Sequence, residues 1–362
     1  VADQVQGDDR VDTDFSSTIY AGGGGGANGT AGLSNQNIKN LLAEVNIGEN
    51  SVLKISDLAW LDASYDHGIL INASTDFYIW DESKLEVGGA LQGAGAESDI
   101  DVDATNKVTV GDDAKLYNPV GEIAIGTYGR GEAVGQSNVS VWAAAGVAGG
   151  VTDVRLDILN QVFIGEDVDV NAYGEVGIYA GRGSDGFYEN QLRATAYTNV
   201  YNWTAIPIPA DMEAESDVYL DNQLSFGDGF SIASDSHVNI EANEGINSAS
   251  HSGVEKNPYL ELFGSETNFG SSDIHVDSNM TFLGNGSVIA GQYAYQWVNV
   301  SENGSITQQL YRYATAENQS GTYSSAAELE NYIASLEDIV ELLESWDGSD
   351  TSLEGSTITD SG

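Results

Sequence analysis

Short runs of alternating apolar and polar residues recur along the chain, and four of them share one layout. Each begins at an Asp, alternates to a second Asp, and closes in an apolar–x–apolar–Gly step ten to twelve residues after the first Asp. The copies are Asp99–Gly111, Asp153–Gly165, Asp217–Gly227 and Asp273–Gly284, with a fainter one at Asn37–Gly48. Alternation with period two is typical of β-strands, and recurrence at intervals is typical of a repeat architecture.

The closing glycines lie 54 to 63 residues apart. Repeats of solenoid proteins span roughly 20–45 residues, so we expect each interval to hold two or three coils. Gly followed by acidic residues or Asn predicts turns between the short strands, because Gly tolerates positive φ and Asp or Asn can bond its own backbone. These turns stand at 111–113, 165–167, 227–229 and 284–286.

Three segments depart from this pattern. Gly22–Gly26 is a run of five glycines, flexible by composition, and Ala143–Gly150 is a small-residue run that is either a closely packed strand or a loop. In 325–346 apolar residues fall three or four apart after a Ser325/Glu328 capping-box pair, which predicts an amphipathic helix.

The sequence therefore predicts four parts. They are an N-terminal Gly-rich segment (1–36), a β-helix repeat region (37–322), a C-terminal amphipathic α-helix that caps the repeats or docks a partner (323–348), and a disordered tail (349–362).

Charge and composition narrow the range of partners. The chain has 12 basic and 56 acidic residues and a formal net charge of −44, so nucleic acid and anionic lipid surfaces are poor partners. It has no Cys, which excludes disulfides, thiolate catalysis and Cys-ligated zinc. No stretch approaches the ~20 apolar residues of a membrane helix. The chain starts at Val1 without a basic or apolar leader, and we expect it to be a piece of a longer protein.

The alternating Asp residues are the candidate metal ligands, because calcium prefers carboxylate and carbonyl oxygens. Stacked coils would align them into columns, but the calcium nonapeptide and a complete EF-hand loop are absent. A solvated acidic face with weak, distributed calcium binding is the prediction, and we expect no other cofactor. The ligands predicted for it are Asp99, Asp101, Asp103, Asp153 and Asp157.

Catalytic signatures are sparse. The four His residues show none of the usual zinc spacings, and basic residues are few and scattered. Gly111-Asp-Asp113 and Asp66-His67-Gly68 come nearest to the clustered carboxylates of a polysaccharide-cleaving β-helix enzyme, but an acidic pair recurs in the same turn as Glu166-Asp167. Because the repeat places an acidic pair in this turn in more than one copy, the pair indicates a structural role and not a catalytic one. We therefore predict no catalytic residues.

Blocks of this kind resemble the filamentous-haemagglutinin and leukotoxin-LktA-type families of large bacterial surface adhesins. The resemblance rests on Val108–Ala114, Val162–Val168, the Ala/Gly stretch at 143–150 and the Tyr201–Pro209 segment, and it covers roughly residues 37 to 295. It implies an all-β fold, namely a right-handed parallel β-helix (β-solenoid), together with export, an extracellular or cell-surface location, and a role in adhesion or scaffolding.

The function expected from the sequence is that of a non-enzymatic structural or adhesive module. It would form a stiff, acidic rod that presents loops to a glycan or protein on a host or neighbouring cell, without membrane insertion. One alternative is a self-assembling extracellular filament subunit, since solenoid ends joined head to tail form an open homopolymer. The other is a polysaccharide-active β-helix enzyme.

Overall fold

A computed structural model describes residues 5–55, 68–184, 188–208, 212–242, 249–256, 268–291, 293–302, 305–314 and 341–346. These residues are almost all in β-strands, and none of them is in an α-helix. The seventeen strands are β1 (Val5–Ile47), β2 (Val52–Lys54), β3 (Ile69–Val110), β4 (Lys115–Asn118), β5 (Ile123–Ile164), β6 (Asp169–Ala172), β7 (Val176–Ala180), β8 (Gln191–Ile208), β9 (Met212–Phe226), β10 (Phe230–Ser234), β11 (Val238–Ala242), β12 (Ala249–Lys256), β13 (Asn268–Phe282), β14 (Gly286–Ala290), β15 (Tyr293–Glu302), β16 (Ser305–Ala314) and β17 (Glu341–Trp346).

Two parallel sheets organise most of these strands. In the first, β1 pairs with β3 and β3 with β5, and β7, β8 and β9 then pair with successive parts of β5. The strands β11, β12 and β13 pair with β7, β8 and β9 in turn. The second sheet runs β2–β4–β6–β10–β14. The predicted all-β class with long parallel sheets is confirmed, and this arrangement is compatible with a β-solenoid.

Each long strand, or the set of strands that takes its place, forms one rung together with the short strand that follows it. Rung 1 is β1 and β2, rung 2 is β3 and β4, rung 3 is β5 and β6, rung 4 is β7 to β10, and rung 5 is β11 to β14. Val5 pairs with Ile69 and Ile69 pairs with Ile123, so one rung fills one sequence interval. The expectation of two or three coils in each interval is wrong, because a single strand of 42 residues takes up most of the interval.

The long strands fold back on themselves as arches. Side chains far apart on one strand meet: Ser98 Oγ donates to Asp81 Oδ2 at 2.5 Å, and Ser137 Oγ donates to the carbonyl of Val151 at 2.6 Å. At the apex of each arch one residue interrupts the ladder of paired residues. These apex residues are Gly26, Ala90, Ala144 and Ala205. The two halves of each long strand are therefore a first arm and a second arm, which face each other with their side chains.

Small residues at the apex permit this reversal. A Cβ at Gly89 would collide with the carbonyl oxygen of Gly25 on the preceding rung. The glycine run Gly22–Gly26 lies in β1, at the apex of rung 1, and the run Ala143–Gly150 begins at the apex of rung 3 inside β5. Of the two interpretations left open for the second run, the structure shows the strand.

The core is the thin layer between the arms, where alternate residues are buried. It contains three hydrophobic clusters: a base cluster around Ile69, Val110 and Leu116, a middle cluster around Ile100, and an apex cluster around Leu85. Parallel sheets with covered faces bury near-continuous aliphatic stacks in this way.

Corner turns join each second arm to its short strand, at the predicted Gly–acidic positions. The third turn residue has positive φ in four rungs, at Asn50 (56°), Asp113 (58°), Asp167 (52°) and Gly229 (75°). Successive turns stack directly, since Gly227 N donates to the carbonyl of Ile164 at 2.7 Å. A Cβ at Gly227 would lie 2.6 Å from the backbone nitrogen of Glu166, so this position needs Gly.

Strands occupy the described residues near both ends of the chain. β1 runs through residue 36 without a break, so residues 5–36 belong to rung 1 and the structure shows no boundary there. Most of the helix predicted within 323–348 lies outside the described residues, and Glu341–Trp346 form a strand that pairs antiparallel with β16. The predicted tail, 349–362, also lies outside the described residues.

Candidate functional site

The second arms carry an acidic face. Asp99, Asp101 and Asp103 lie on β3 and point outward, because Ile100 and Val102 between them are fully buried. We define the acidic face by the outward residues Glu97, Asp99, Asp101, Asp103, Asp153, Asp157, Glu215, Asp217, Asp221, Asp273 and Asp277. It includes every metal ligand predicted from the sequence.

Register decides which of these carboxylates become neighbours. Asp99 pairs with Asp153, which pairs with Glu215, so three acidic residues follow one another along the stack. Asp103 pairs with Asp157 in the same way. Neighbouring strands lie about 4.8 Å apart, so like charges in one column repel each other.

Isolated cations compensate part of this charge. Lys39 Nζ lies 2.6 Å from Asp101 Oδ2 and 3.0 Å from Asp103 Oδ2. Arg155 replaces an acidic residue in the column of Asp101, donates to Asp157 Oδ2 at 3.2 Å, and lies over the ring of Tyr219 at 4.6 Å. These cations offset only part of the charge, and the column of Asp99, Asp153 and Glu215 consists of acidic residues alone.

Asp153 has the most perturbed carboxyl group of the face. Burial, together with the neighbouring charges of Glu215 and Asp99, raises the pKa of Asp153 to about 6. Burial also raises the pKa of Asp99 and that of Asp217, with contributions from Asp101 and Glu215 respectively. In all three cases, burial and neighbouring negative charges make the ionised form of the carboxyl group less favourable in the folded chain.

The predicted ligands share a face but do not converge on a point. Among the residues that the structure describes, no three Asp, Glu or His side chains come close enough together to hold a metal ion. Weak, distributed calcium binding therefore stays a prediction.

The arch apices form a second surface feature, which the sequence analysis missed. Trp142 of rung 3 pairs with Trp203 of rung 4, and their side chains are 49% and 41% exposed. On the other side of the apex, Leu91 and Ile206 are also exposed and lie in one column through Ala145. We call these five residues the apex ridge. Its sequence signal is weak, since the two Trp residues are 61 positions apart and share no local motif.

Polar groups border the apex ridge along the outer face of the first arms. Tyr20 Oη donates to Glu86 Oε2 at 3.1 Å, and Asn199 Nδ2 donates to Asn138 Oδ1 at 2.9 Å. Asn138 Nδ2 in turn donates to Glu82 Oε1 at 2.9 Å. Exposed aromatic rings next to amide and carboxylate groups suit ligands that have both apolar faces and hydroxyl groups.

Rung 4 contains an insertion on the outer face of its first arm. Eleven residues, 180–190, take the place of three residues, 127–129, of rung 3. Tyr188 stacks on Tyr128 with ring centroids 5.8 Å apart, and Arg130 lies 5.4 Å from the centre of the Tyr188 ring. The buried amide of Asn190 then accepts a hydrogen bond from Gly129 N at 2.9 Å, which replaces a missing ladder contact.

Comparisons with known proteins name no relative: no family model, no curated protein and no solved structure matches the chain. Within the described residues, no helix is long and apolar enough to span a membrane. The resemblance to bacterial surface adhesins stays a prediction from the sequence.

Proposed function

We propose that the chain is a right-handed parallel β-solenoid that serves as a structural and adhesive module of a large secreted or cell-surface bacterial protein. The observation that carries this proposal is the register of successive rungs, which repeats the same arm, apex and corner turn through the stack. Such stacking builds a stiff body and repeats its surface features along one axis.

The apex ridge is the surface that this body presents to a partner. Exposed apolar side chains bordered by polar groups are typical of an interaction site. The net charge of −44 repels acidic glycans, so we propose an uncharged glycan as the ligand of Trp142 and Trp203. Weak contacts of this kind add up when many copies of the protein are displayed together on one surface.

The distribution of charge favours this scaffold over a polysaccharide-active enzyme. An enzyme would gather an acid and a base in one cleft. Here the carboxylates of Asp99, Asp153 and Glu215 follow the ladder from rung to rung, and the cations Lys39 and Arg155 lie at separate positions along it.

Two measurements test the proposal. Small-angle scattering and negative-stain micrographs of the purified chain should show a flat, elongated particle, because half of a 42-residue strand at ~3.3 Å per residue is longer than a stack of five rungs ~4.8 Å apart is high. A sphere-like particle would overturn the solenoid. Beads coated with the protein should adhere to surfaces that carry uncharged glycans, and the double variant W142A/W203A should lose at least tenfold of this adhesion. Y78A removes an exposed aromatic ring away from the ridge and is the matched control. Equal loss in both variants, or binding only to protein-coated surfaces, would refute the assignment of the ridge to glycans.

A further inference from the structure

Rung 5 leaves core positions uncovered. Among the described residues, β13 and β14 have a parallel partner on one side only. Val218, Phe226 and Ile232 of rung 4 are fully buried, but the residues that follow them in register are exposed: Ile274 by 42%, Phe282 by 53% and Val288 by 48%. The ring of Phe282 stacks on Phe226 with centroids 5.1 Å apart and has an open outer face.

Rung 1 leaves the opposite edge open only in part, because Ala43, Ile47 and Ile55 are buried there. Within the described part of the chain, β1 pairs only with β3 and β2 only with β4. Val45 and Leu53 are partly exposed, whereas Val108 and Leu116, their partners in rung 2, are buried. Unpaired strand edges of this type are templates for another chain.

We infer that the partner of the rung 5 edge is the rung 1 edge of a second copy of this chain, in the same parallel direction. The inference rests on the proposed β-solenoid. If the register of the stack continues across the junction, Ile47 of the second copy covers Phe282, Val45 covers Met280, and Leu53 covers Val288. Each of these contacts places an apolar side chain on an apolar side chain, as in the interior of the stack.

Charge at the second arms and short strands, though not along the acidic first arm of rung 1, supports the same junction. In rung 5, residues 268–290 contain two Asp and one His but no Lys or Arg, while residues 27–55 of rung 1 contain two Lys and two Glu. Lys39 already contacts Asp101 and Asp103, whose columns end in rung 5 at Asp273 and His275. Continued register therefore places the Lys39 ammonium of the incoming copy beside Asp273 and beside His275, whose Nε2 lies 3.1 Å from Asp277 Oδ2.

The joined surfaces differ from each other, so each added copy leaves one edge of each kind free. Such a heterologous contact does not close and produces a linear filament. The charge of −44 per copy opposes assembly at low ionic strength, and salt reduces this repulsion as the Debye length falls.

Sedimentation velocity and light scattering of the full 362-residue chain test the inference over a wide concentration range, in about 0.15 M and about 1 M NaCl. We expect concentration-dependent growth along one axis. V288K should weaken association at least tenfold at both salt concentrations, since it places a charge in the apolar junction. K39E should weaken it mainly at the lower salt concentration, where the ion pairs are least screened.

Matched variants keep the test specific. Y78K introduces the same charge at an exposed side chain of rung 2 away from the apex ridge, and K84E reverses a Lys of the same rung, so neither should change association. A chain that stays monomeric throughout, or that responds equally to V288K and Y78K, overturns the inference. A flat, elongated monomer would leave the proposed function intact, whereas a sphere-like particle would refute both.

Discussion

Asn160 donates from Nδ2 to Oδ1 of Asn222, its partner one rung later, at a distance of 2.9 Å, and both side chains are fully buried. Asn106 donates to Asn160 in the same manner at 2.9 Å, and Asn190 joins the group from the insertion of rung 4. This ladder of amides separates the base cluster from the middle cluster. A second polar layer, in which Ser34 and Ser98 each donate to Asp81 at 2.5 Å, separates the middle cluster from the apex cluster. Aliphatic stacks tolerate sliding, whereas hydrogen-bonded layers define one register.

Replacing Asn160 by Ala should destabilise the chain strongly. The variant leaves the Asn106 donor and the Asn222 acceptor without this partner and opens a small cavity, at a cost of about 2–4 kcal/mol. Urea denaturation followed by circular dichroism measures the loss. Q161A is the control, because Gln161 is the next residue on the outer face and its loss should cost about 0.5 kcal/mol. Equal midpoints for the two variants would show that the ladder contributes little.

The corner turn makes a prediction about two glycines. G227A should lower stability by about 2 kcal/mol or more, because its Cβ would lie 2.6 Å from backbone atoms of Glu166 and Gly165. G95A is the same substitution at a position in β3 with no atom within 4 Å of the new Cβ. It should be neutral or stabilising by up to about 1 kcal/mol. Thermal melts of both variants check the prediction, and a stable G227A protein would mean that the turns are not stacked as described.

Asp153 should make the folded chain less stable as the pH rises. Its pKa in the folded state, about 6, exceeds its ordinary value of 3.8, so the folded state binds this proton more tightly than the unfolded state. Stability present below about pH 4 is therefore lost as the pH rises through about 6. Asp99 and Asp217 act in the same direction.

The variant D153N removes this penalty. At pH 7.5 it should raise stability by about 1 kcal/mol, once screening at this partly exposed site is taken into account, and at pH 4 it should have almost no effect. D157N is the control. It should lower stability at pH 7.5, because it removes the ion-pair partner of Arg155. Melting temperatures of the three proteins between pH 4 and pH 8 test this, and a D153N effect independent of pH would contradict it.

Calcium should stabilise the chain gradually rather than at one site. Divalent cations screen the columns of the acidic face, so the melting temperature should rise smoothly with calcium and almost equally with magnesium. Titration calorimetry should show no saturation at a fixed stoichiometry. A sharp isotherm for calcium alone, lost in the variant D99N/D153N, would instead demonstrate a specific site.

The sequence predicts the local structure of the stack better than its dimensions. Alternation and Gly–acidic turns identify the strands and corners, since both follow from the conformations of one or two residues. A strand that folds back at Ala90 has the same local pattern as a straight one, so the size of the rung depends on contacts between distant residues such as Asp81 and Ser98.

The buried amide ladder did carry a sequence signal. Asn106, Asn160 and Asn222 each stand five residues before a closing glycine, so aligning the intervals on those glycines would have placed them in one column. The acidic face could be predicted from the sequence, because its Asp residues alternate within short stretches of the chain. The apex ridge was not, because its two Trp residues become neighbours only through the register of rungs 3 and 4.

The insertion of rung 4 shows that the pairing resumes after an interruption. The ladder between β5 and β7 stops at Tyr179, and that between β5 and β8 starts at Gln191, with Asn190 closing the gap. The corresponding positions of rung 3 run through 127–129 without any excursion. Foreign peptides grafted between Gly183 and Tyr188 should therefore be displayed on the flank of the molecule while the rungs on either side keep their partners, which makes this segment a natural position for epitopes or affinity tags.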